Sequence, residues 1–467
     1  MTEVLTDREI TRDTRREAAS ATTQSGIDVT VRIQLKMALS CIVIAVLGGA
    51  VAALHYLPGA SAWLNERGVQ LTQLRPVHTS FASLWIFGAS IAVMYHWMST
   101  NHGGLDRADR ARFRFHTIAW IVAGAGIFVS LLLGVSSGRE YLGFHPAFSA
   151  VLLCGWFAFT WNFLRRLRHG FWDQPIYIWF WTVGVLFFVY TFVEGHTYLL
   201  ADVFASPVRD LQIQWKSCGT LVGSFNFLMY GSLTYVGERL SGDKRYAQSS
   251  TAFWLFGVGC LNSFTNYAHH TYHLPQSEAV KWVSFLVSMS ELVILLKVMM
   301  DLGKAVRKRG GQFCGRMSWL STAKWWTGVM LFTSILISIP NLNSIIHGTH
   351  VIVGHAMGAT IGIDTLVLLG TSCFLIGEAG GSAITERMNC GLQRNAIRWI
   401  SGVLGVLVAW LTVAGTVHGI HRYHGEATPQ WVIDSRFVLP VFGSILGVWL
   451  LVITSRLLSL LRQSVAR

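Results

Sequence analysis

Histidine is the residue type in this sequence that is best suited to bind a metal. The chain contains 17 histidines, and most of them lie near one end of the apolar segments described below. Neutral imidazole is a common ligand of iron and copper. A single histidine in such a segment is usually a packing or interface residue, but several at one depth on different segments indicate a metal or cofactor site.

Two of the three notable histidine groups lie at the ends of apolar segments. His78 lies at the start of the second segment, where a histidine can serve as an axial heme ligand. His269 and His270 end the seventh segment, and adjacent imidazoles at a helix end can both reach one ion. The alternative for this pair is an interfacial belt of tyrosine and histidine.

The third group is the segment 347–358, which reads HGTHVIVGHAMG. At 100° per residue, His355 and Met357 project to opposite faces of one helix, so the helix can ligate two different cofactors. Gly354 and Gly358 flank them and are expected to let a flat macrocycle approach closely. Without partners, Met357 would be an ordinary core or lipid-facing methionine.

The elements that position these residues are long apolar helices. The chain has 467 residues, of which 52% are apolar and 13% charged, whereas soluble domains carry about 25% charge. This composition excludes a soluble enzyme, a disordered chain and a collagen-like chain. Segments of about 20 apolar residues predict an all-α bundle of about twelve transmembrane helices. The windows are 33–55, 77–98, 115–135, 147–164, 176–200, 212–237, 250–270, 280–300, 325–345, 350–376, 397–418 and 434–460.

The distribution of basic residues predicts the orientation of this bundle. The formal charge of +13 is concentrated in every second loop, the pattern of cytoplasmic loops, and so predicts that both termini are cytoplasmic and that no nucleic acid is bound. Residues 1–31 lack an apolar core and are predicted to be a cytoplasmic tail before one transmembrane heme-binding domain, 32–467. The basic segments are Arg8–Arg16, Arg107–Arg114, Arg165–Arg168, Arg239–Arg245, Lys304–Arg316 and Arg387–Arg398.

The histidine pattern on twelve segments resembles the catalytic subunit of the heme-copper oxidase superfamily. It is most similar to the large subunit of the cytochrome c-dependent nitric oxide reductases. Residues 138–142, GREYL, are similar to the GREFL segment of that family. Ser290-Glu291 resembles its S-A-L-E element, and 347–349 its T-H-G-T element. The seven cysteines lie singly, with no CxxCH, so covalently attached heme has no support.

The resemblance implies two b-type hemes and a non-heme iron. His78 would be an axial ligand of the low-spin heme, and His355 the proximal ligand of the high-spin heme. His269 and His270 would bind the non-heme metal. Where the family has a second histidine for the low-spin heme this chain has Met357, and histidine with methionine is a valid low-spin pair.

Two carboxylates take roles from the same resemblance, and a third has none. Glu291 would lie near the non-heme metal as a ligand or a proton carrier, and an acid within a membrane supports a functional role. The alternatives are neutralisation by Lys297 or a place in a polar packing network. Glu140 would help to bind calcium, unless it forms a surface ion pair beside Arg139. Asp364 is either functional or part of a polar packing network.

The sixth segment departs from the family pattern. An ungapped alignment places Gly219, Gly223 and Phe227 where the family has the third metal histidine and two glutamates. Cys218 or Lys216 would compensate only if the helix shifted.

Three interpretations of the function therefore remain. The first is a nitric oxide reductase of a bacterial inner membrane that reduces nitric oxide with electrons from a cytochrome c-type small subunit. The second is a cytochrome c-type oxygen reductase, and the third a non-catalytic heme protein that transfers electrons or binds a gas. Proton pumping or transport without heme is a remote fourth.

Overall fold

The computed structural model describes residues 27–101, 104–167, 171–266, 270–308, 316–388 and 391–463. Throughout these ranges the regular structure is helical and no strand is formed, which confirms the predicted all-α class. Twelve long helices correspond to the twelve predicted windows. They are α1 (Val29–Leu54), α2 (Leu71–Thr100), α3 (Arg107–Leu132), α4 (Pro146–Leu164), α5 (Ile176–Gly195), α6 (Pro207–Ser241), α7 (Ser250–Thr265), α8 (Glu278–Lys308), α9 (Arg316–Ser338), α10 (His350–Ala359, continuing to Met388), α11 (Gly391–Tyr423) and α12 (Val438–Gln463).

Most of these helices are long and apolar enough to cross a membrane. Among the described residues nine qualify, or ten if α9 is joined to the short helix Pro340–Ile346, which is bent away from it by 90°. The two that do not qualify are α6, which carries charged residues in its first turns, and α7, of which 16 residues are described. α6 is largely buried from Ser217 onward, and α7 packs against it and α8.

Local sequence signals account for several helix starts. Asp28 caps α1 by accepting a hydrogen bond from the backbone amide of Thr30, so the helix begins at Val29, three residues before the predicted domain boundary. Ser206 caps α6, and Pro207 occupies its first position, where the missing amide hydrogen has no cost. Ser249 caps α7 in the same way.

The two helices that carry the predicted heme ligands lie at the centre of the bundle. In the apolar windows of α2 and α10, 78% and 83% of residues are buried, against 33% for α1. α2 packs along α1, α6, α3 and α10, while α10 packs against α9 and α11. Large aromatic side chains fill the core between them. Most side chains of α2, and most of those of α10 from Gly362 onward, therefore face protein, while His355 and Met357 on the first part of α10 are partly buried.

A buried carboxylate joins helices at the basic end of the bundle. Asp109, in the first turn of α3, is 1% exposed and accepts hydrogen bonds from Arg112 (2.8 Å), Arg165 (3.2 Å) and Arg166 (2.5 Å). Its own backbone carbonyl accepts a bond from Asn162 of α4. Three guanidinium groups and one carboxylate thus fix the ends of α3 and α4 to each other.

Removing this carboxylate should destabilise the protein strongly. Asp109→Ala leaves three guanidinium groups without their shared acceptor, a loss that costs about 3–5 kcal/mol for a buried pair. Glu278→Ala is the matched control, because Glu278 is 68% exposed in its pair with Lys281 and such surface pairs contribute about 0–1 kcal/mol. Thermal unfolding in detergent should show a much lower midpoint for Asp109→Ala only. Equal midpoints would refute the role of Asp109.

Candidate heme and metal site

His78 is held by α1 through one of its two ring nitrogens. It is half-buried in the third turn of α2, and its Nδ1 lies 2.7 Å from the carbonyl oxygen of Ala45. Gly49 of α1 makes room for the ring, since a Cβ there would lie 2.5 Å from Nδ1. A hydrogen bond from Nδ1–H to a carbonyl leaves Nε2 as the lone-pair nitrogen, the arrangement of many metal-binding histidines. The geometry suits an axial ligand.

The structure supports the use of opposite faces of α10. The helix is α-helical from His350 to Ala359, so His355 and Met357 lie on one regular helix, and a π-helical turn begins only at Thr360. His355 Nδ1 lies 3.4 Å from the hydroxyl of Ser334 on α9. Met357 is partly buried against the main core. His355 is thus oriented by a neighbouring helix as a ligand histidine usually is.

The glycines that flank these two residues serve helix packing. A Cβ at Gly354 would lie 3.1 Å from Leu411 of α11, and one at Gly358 would overlap the Met330 side chain of α9. Both glycines therefore allow helices to approach closely. The expectation that they make room for a macrocycle is wrong for the packing that the structure shows.

His270 follows α7 along the chain, and His269 lies outside the described residues together with 267 and 268. The His270 ring stacks on Trp215 of α6, with ring centroids 5.3 Å apart and planes 5° apart. It also lies close enough to His355 and His347 for charges on these rings to interact. Candidate ligands from two predicted groups therefore meet in one region of the bundle.

Two glycines lie on the face of α6 that packs against α7. A Cβ at Gly219 would overlap the side-chain amide of Asn266, and one at Gly223 would lie 2.6 Å from the Ser263 hydroxyl. One turn further along, Phe227 contacts the backbone of α7 at Gly259. The predicted positions thus face the site, as the alignment implied. They contribute close packing instead of a ligand.

Neither of the substitutes considered for the missing ligand is available. The Lys216 ammonium forms an ion pair with Glu194 of α5 and donates to the Tyr190 hydroxyl at 2.7 Å. The Cys218 thiol is 7% exposed and lies within electrostatic range of Tyr141, in the loop before α4. Lys216 is thus bound to α5, and Cys218 is buried near this loop. The helix does not shift to bring either of them to α7.

Glu291 is buried in a hydrogen-bonded group that links α6, α7 and α8. One carboxyl oxygen accepts from the Tyr230 hydroxyl at 2.8 Å, and the other from the Asn262 amide at 2.5 Å. Asn262 accepts in turn from Ser288 at 2.7 Å. Lys297 pairs with Asp301 instead, so neutralisation of Glu291 by Lys297 is wrong.

Sequence reasoning missed the partners of Glu291, although one signal was available. Asn262, Asn266 and His270 recur every four residues and so occupy one face of a helix. Asparagine is uncommon in apolar segments, and a repeated polar face indicates a buried polar network. Tyr230 had no such signal, because a tyrosine in an apolar segment is as often a packing residue.

Asp364 lies in the π-helical turn of α10. It is 6% exposed, and its carboxyl forms no hydrogen bond or ion pair with any residue that the structure describes. It is within electrostatic range of Tyr141 and Tyr230. π-Helical turns occur frequently at functional sites. The polar packing network considered for Asp364 is absent from the described part of the chain.

Glu140 pairs with an arginine other than its neighbour. Its carboxylate lies 2.6 Å from Arg75 of α2, whereas Arg139 pairs with Asp210 of α6 at 2.8 Å. Tyr141 follows with a φ of 59°, a strained value for a residue with a side chain. The GREYL segment thus links the starts of α2 and α6. The Glu140 carboxylate already has a cationic partner, the Arg75 guanidinium.

Comparison with known proteins identifies the family. A family model described as Cytochrome C and Quinol oxidase polypeptide I matches residues 31–449. The chain belongs to this family. It is 24% identical over 370 residues to the cbb3-type cytochrome c oxidase subunit CcoN1 of Stutzerimonas stutzeri, covering 74% of this chain and 75% of that protein.

Two further similarities agree with this family. The chain is 23% identical over 337 residues to the cytochrome c oxidase subunit 1 homolog of Azorhizobium caulinodans, covering 66% of this chain but only 58% of that protein's length. A cryo-EM structure of a heme-copper terminal oxidase dimer has a TM-score of 0.70 at 12% identity, covering 94% of this chain and 84% of that one. The fold is that of this superfamily, as predicted.

Membership of the family, together with the apolar helices, establishes an integral membrane protein and a heme-binding respiratory oxidoreductase. Within the described residues, no group of three or more histidine, cysteine, aspartate or glutamate side chains is arranged to hold a metal ion.

The glycine face of α6 should not tolerate side chains. Gly219→Ala should lower stability by about 1–3 kcal/mol, because its Cβ would overlap the Asn266 amide in a packed interface. Gly257→Ala of α7 is the control, since a Cβ there meets nothing within 4 Å. Adding Asn266→Ala should restore most of the loss in a double-mutant cycle. Additive effects would show that the two residues do not pack together.

Proposed function

We propose that this protein is a respiratory reductase of the nitric oxide reductase type. The proposal rests on the position of His270 and His355 in one region of the bundle. At the α6 position of the third metal histidine this chain has a glycine. Copper in such sites favours several imidazole ligands, whereas only two histidines are available here, so the remaining positions are left for the oxygen ligands that iron accepts. This donor set supports a non-heme iron on His269 and His270 beside the high-spin heme of His355.

The low-spin heme is proposed to lie between His78 and Met357. Each residue lies about two helical turns, or about 10 Å, beyond the start of its helix. The end of α1 and the start of α10 lie level with each other, because the rings of Tyr56, just after α1, and His350 have centroids 5.9 Å apart. His78 of α2 in turn bonds to Ala45 of α1. His78 and Met357 therefore lie at a similar depth relative to α1, which supports their pairing as ligands of one heme. Bound heme would supply the redox iron.

Glu291 is proposed to carry protons rather than to bind the metal. Reduction of two molecules of nitric oxide to nitrous oxide and water consumes two electrons and two protons, so a proton donor must lie near the site. Both carboxyl oxygens of Glu291 are occupied by Tyr230 and Asn262, which orients the acid within the bundle. Asp364, about as deep on α10 as Glu291 on α8, is a second candidate carrier.

The electron donor and the orientation follow from the same proposal. A separate cytochrome c-type subunit is proposed to deliver electrons at the His-rich end, since the candidate heme ligands lie near it. The basic loops support placement in a bacterial inner membrane with both termini cytoplasmic. A calcium ion at Glu140 is proposed only as a competitor of the Arg75 guanidinium for the Glu140 carboxylate.

A cytochrome c oxygen reductase is the second candidate function. The names of the two curated relatives, both cytochrome c oxidase subunits, favour it. A non-catalytic heme subunit is the third. The metal content of the purified complex separates the candidates: two hemes with an additional iron support the first, copper supports the second, and hemes alone support the third.

Substitution of the two α10 residues should affect different hemes. Met357→Ala should remove the low-spin optical and EPR signature and its methionine-to-iron charge-transfer band, while a high-spin, gas-binding heme remains. His355→Ala should instead remove the gas-binding heme. Unchanged low-spin spectra in Met357→Ala would assign the ligand to another residue, with His350 as the next candidate.

Loss of a metal histidine should remove iron without removing heme. His270→Ala should lose the non-heme iron and nitric oxide consumption, while both heme spectra persist, because His270 is proposed to ligate only the iron. Iron-to-heme ratios and nitric oxide uptake with reduced cytochrome c measure this. His424→Ala, an exposed histidine at the end of α11, is the control. Wild-type protein with full heme, no additional iron and no nitric oxide uptake would refute the proposal.

A further inference from the structure

A second pair of histidines includes none of the proposed ligands. His273 follows α7 in the connection to α8, and His347 lies in the connection between the short helix Pro340–Ile346 and α10. Their ring centroids are 4.3 Å apart, and the ring planes are inclined by 35°. His273 is exposed and His347 half-buried, so solvent reaches the pair directly. Neither residue is used in the proposed reaction.

The backbone around His347 is fixed by hydrogen bonds. Its amide donates to the Asn343 carbonyl at 2.8 Å, and its own carbonyl accepts from the Arg422 guanidinium at 2.6 Å. Arg422 also donates to the carbonyl of Ile345 at 3.0 Å. Gly348 then turns the chain with a φ of +73°, which a residue with a Cβ rarely adopts. His347 is therefore presented by a connection that has little freedom to move.

The turn that carries His273 is anchored as well. The Leu274 amide donates to the carbonyl of Thr271 at 2.9 Å, which closes the turn around His273. The neighbouring Tyr272 side chain is buried, and its hydroxyl donates to the carbonyl of Ser338, at the end of α9, at 3.0 Å. The backbone segments that carry both imidazoles are thus fixed before any ligand arrives, and such pre-organisation lowers the entropic cost of binding.

The two rings are in the chemical state that metal binding needs. Burial, followed by the positive charges of His273 and Arg422, lowers the pKa of His347 to about 4. Burial also lowers the pKa of His273. Both imidazoles are therefore neutral at pH 7, with a lone pair free to coordinate. The Arg422 guanidinium is directed to backbone carbonyls at an exposed position, where solvent and salt screen its repulsion of a cation.

We propose that His273 and His347 form a two-histidine site for a divalent transition-metal ion such as Zn²⁺ or Cu²⁺. Imidazole suits both ions, and water from the exposed side completes the coordination. Metal–nitrogen distances of about 2.0–2.1 Å require only small rotations of rings that already lie side by side. An ion bound here would link the connection from α7 to α8 with the connection that precedes α10.

The test is a Cu²⁺ and Zn²⁺ titration of the untagged holoprotein. Wild-type protein should bind one Cu²⁺ beyond its resident metals, with an EPR signal split by two nitrogen ligands. Zn²⁺ should raise the midpoint of thermal unfolding, because an ion that binds only the folded state stabilises it. His273→Ala and His347→Ala should each lose the two-nitrogen signal and the Zn²⁺-dependent shift, while heme spectra confirm that each variant is folded.

His424→Ala is the matched control, because it removes an exposed histidine outside the pair. It should retain both the two-nitrogen signal and the shift. A one-nitrogen signal in the wild-type protein would overturn the proposal, as would an unchanged signal in His273→Ala. Loss of the signal in His424→Ala would place the ion elsewhere and would also overturn it.

Discussion

The close contact between α6 and α7 is the constraint on which the proposed site depends. Along α6, Gly219 and Gly223 bring the two backbones together, and Asn266 and Ser263 of α7 fill the resulting space. Small residues at an interface permit this approach, and in lipid such packing is a main source of helix association. The contact places His270 against Trp215 and aligns the polar face of α7 with α8. It also leaves no volume on α6 for a ligand side chain.

This packing connects the fold to the proposed chemistry. A metal site built only from the two histidines that follow α7 has fewer nitrogen ligands than one to which α6 contributes, and ligand type governs which metal is held. Glu291 keeps its position through Tyr230 and Asn262, which lie on the same two helices. The glycines of α6 and the carboxyl group of α8 thus belong to one arrangement.

The orientation of the candidate ligands illustrates a second constraint of the membrane interior. Buried polar groups need partners there, and each candidate heme histidine has one for its Nδ1: the Ala45 carbonyl for His78 and the Ser334 hydroxyl for His355. These partners orient the rings through Nδ1, so that Nε2 is the nitrogen left to act as a ligand. At the basic end of the bundle, Asp109 meets the same requirement by gathering three guanidinium groups.

The sequence by itself determined the helical class, the approximate limits of twelve helices and the segments on which the candidate ligands lie. These follow from apolar runs and histidine positions, which are local properties. Only the tertiary structure decided which side chains meet: Glu140 with Arg75 rather than Arg139, Glu291 with Tyr230 rather than Lys297, and Lys216 with Glu194. Such pairings depend on the packing of distant helices, which no local pattern encodes. The same holds for the glycines of α10, whose neighbours are set by α9 and α11.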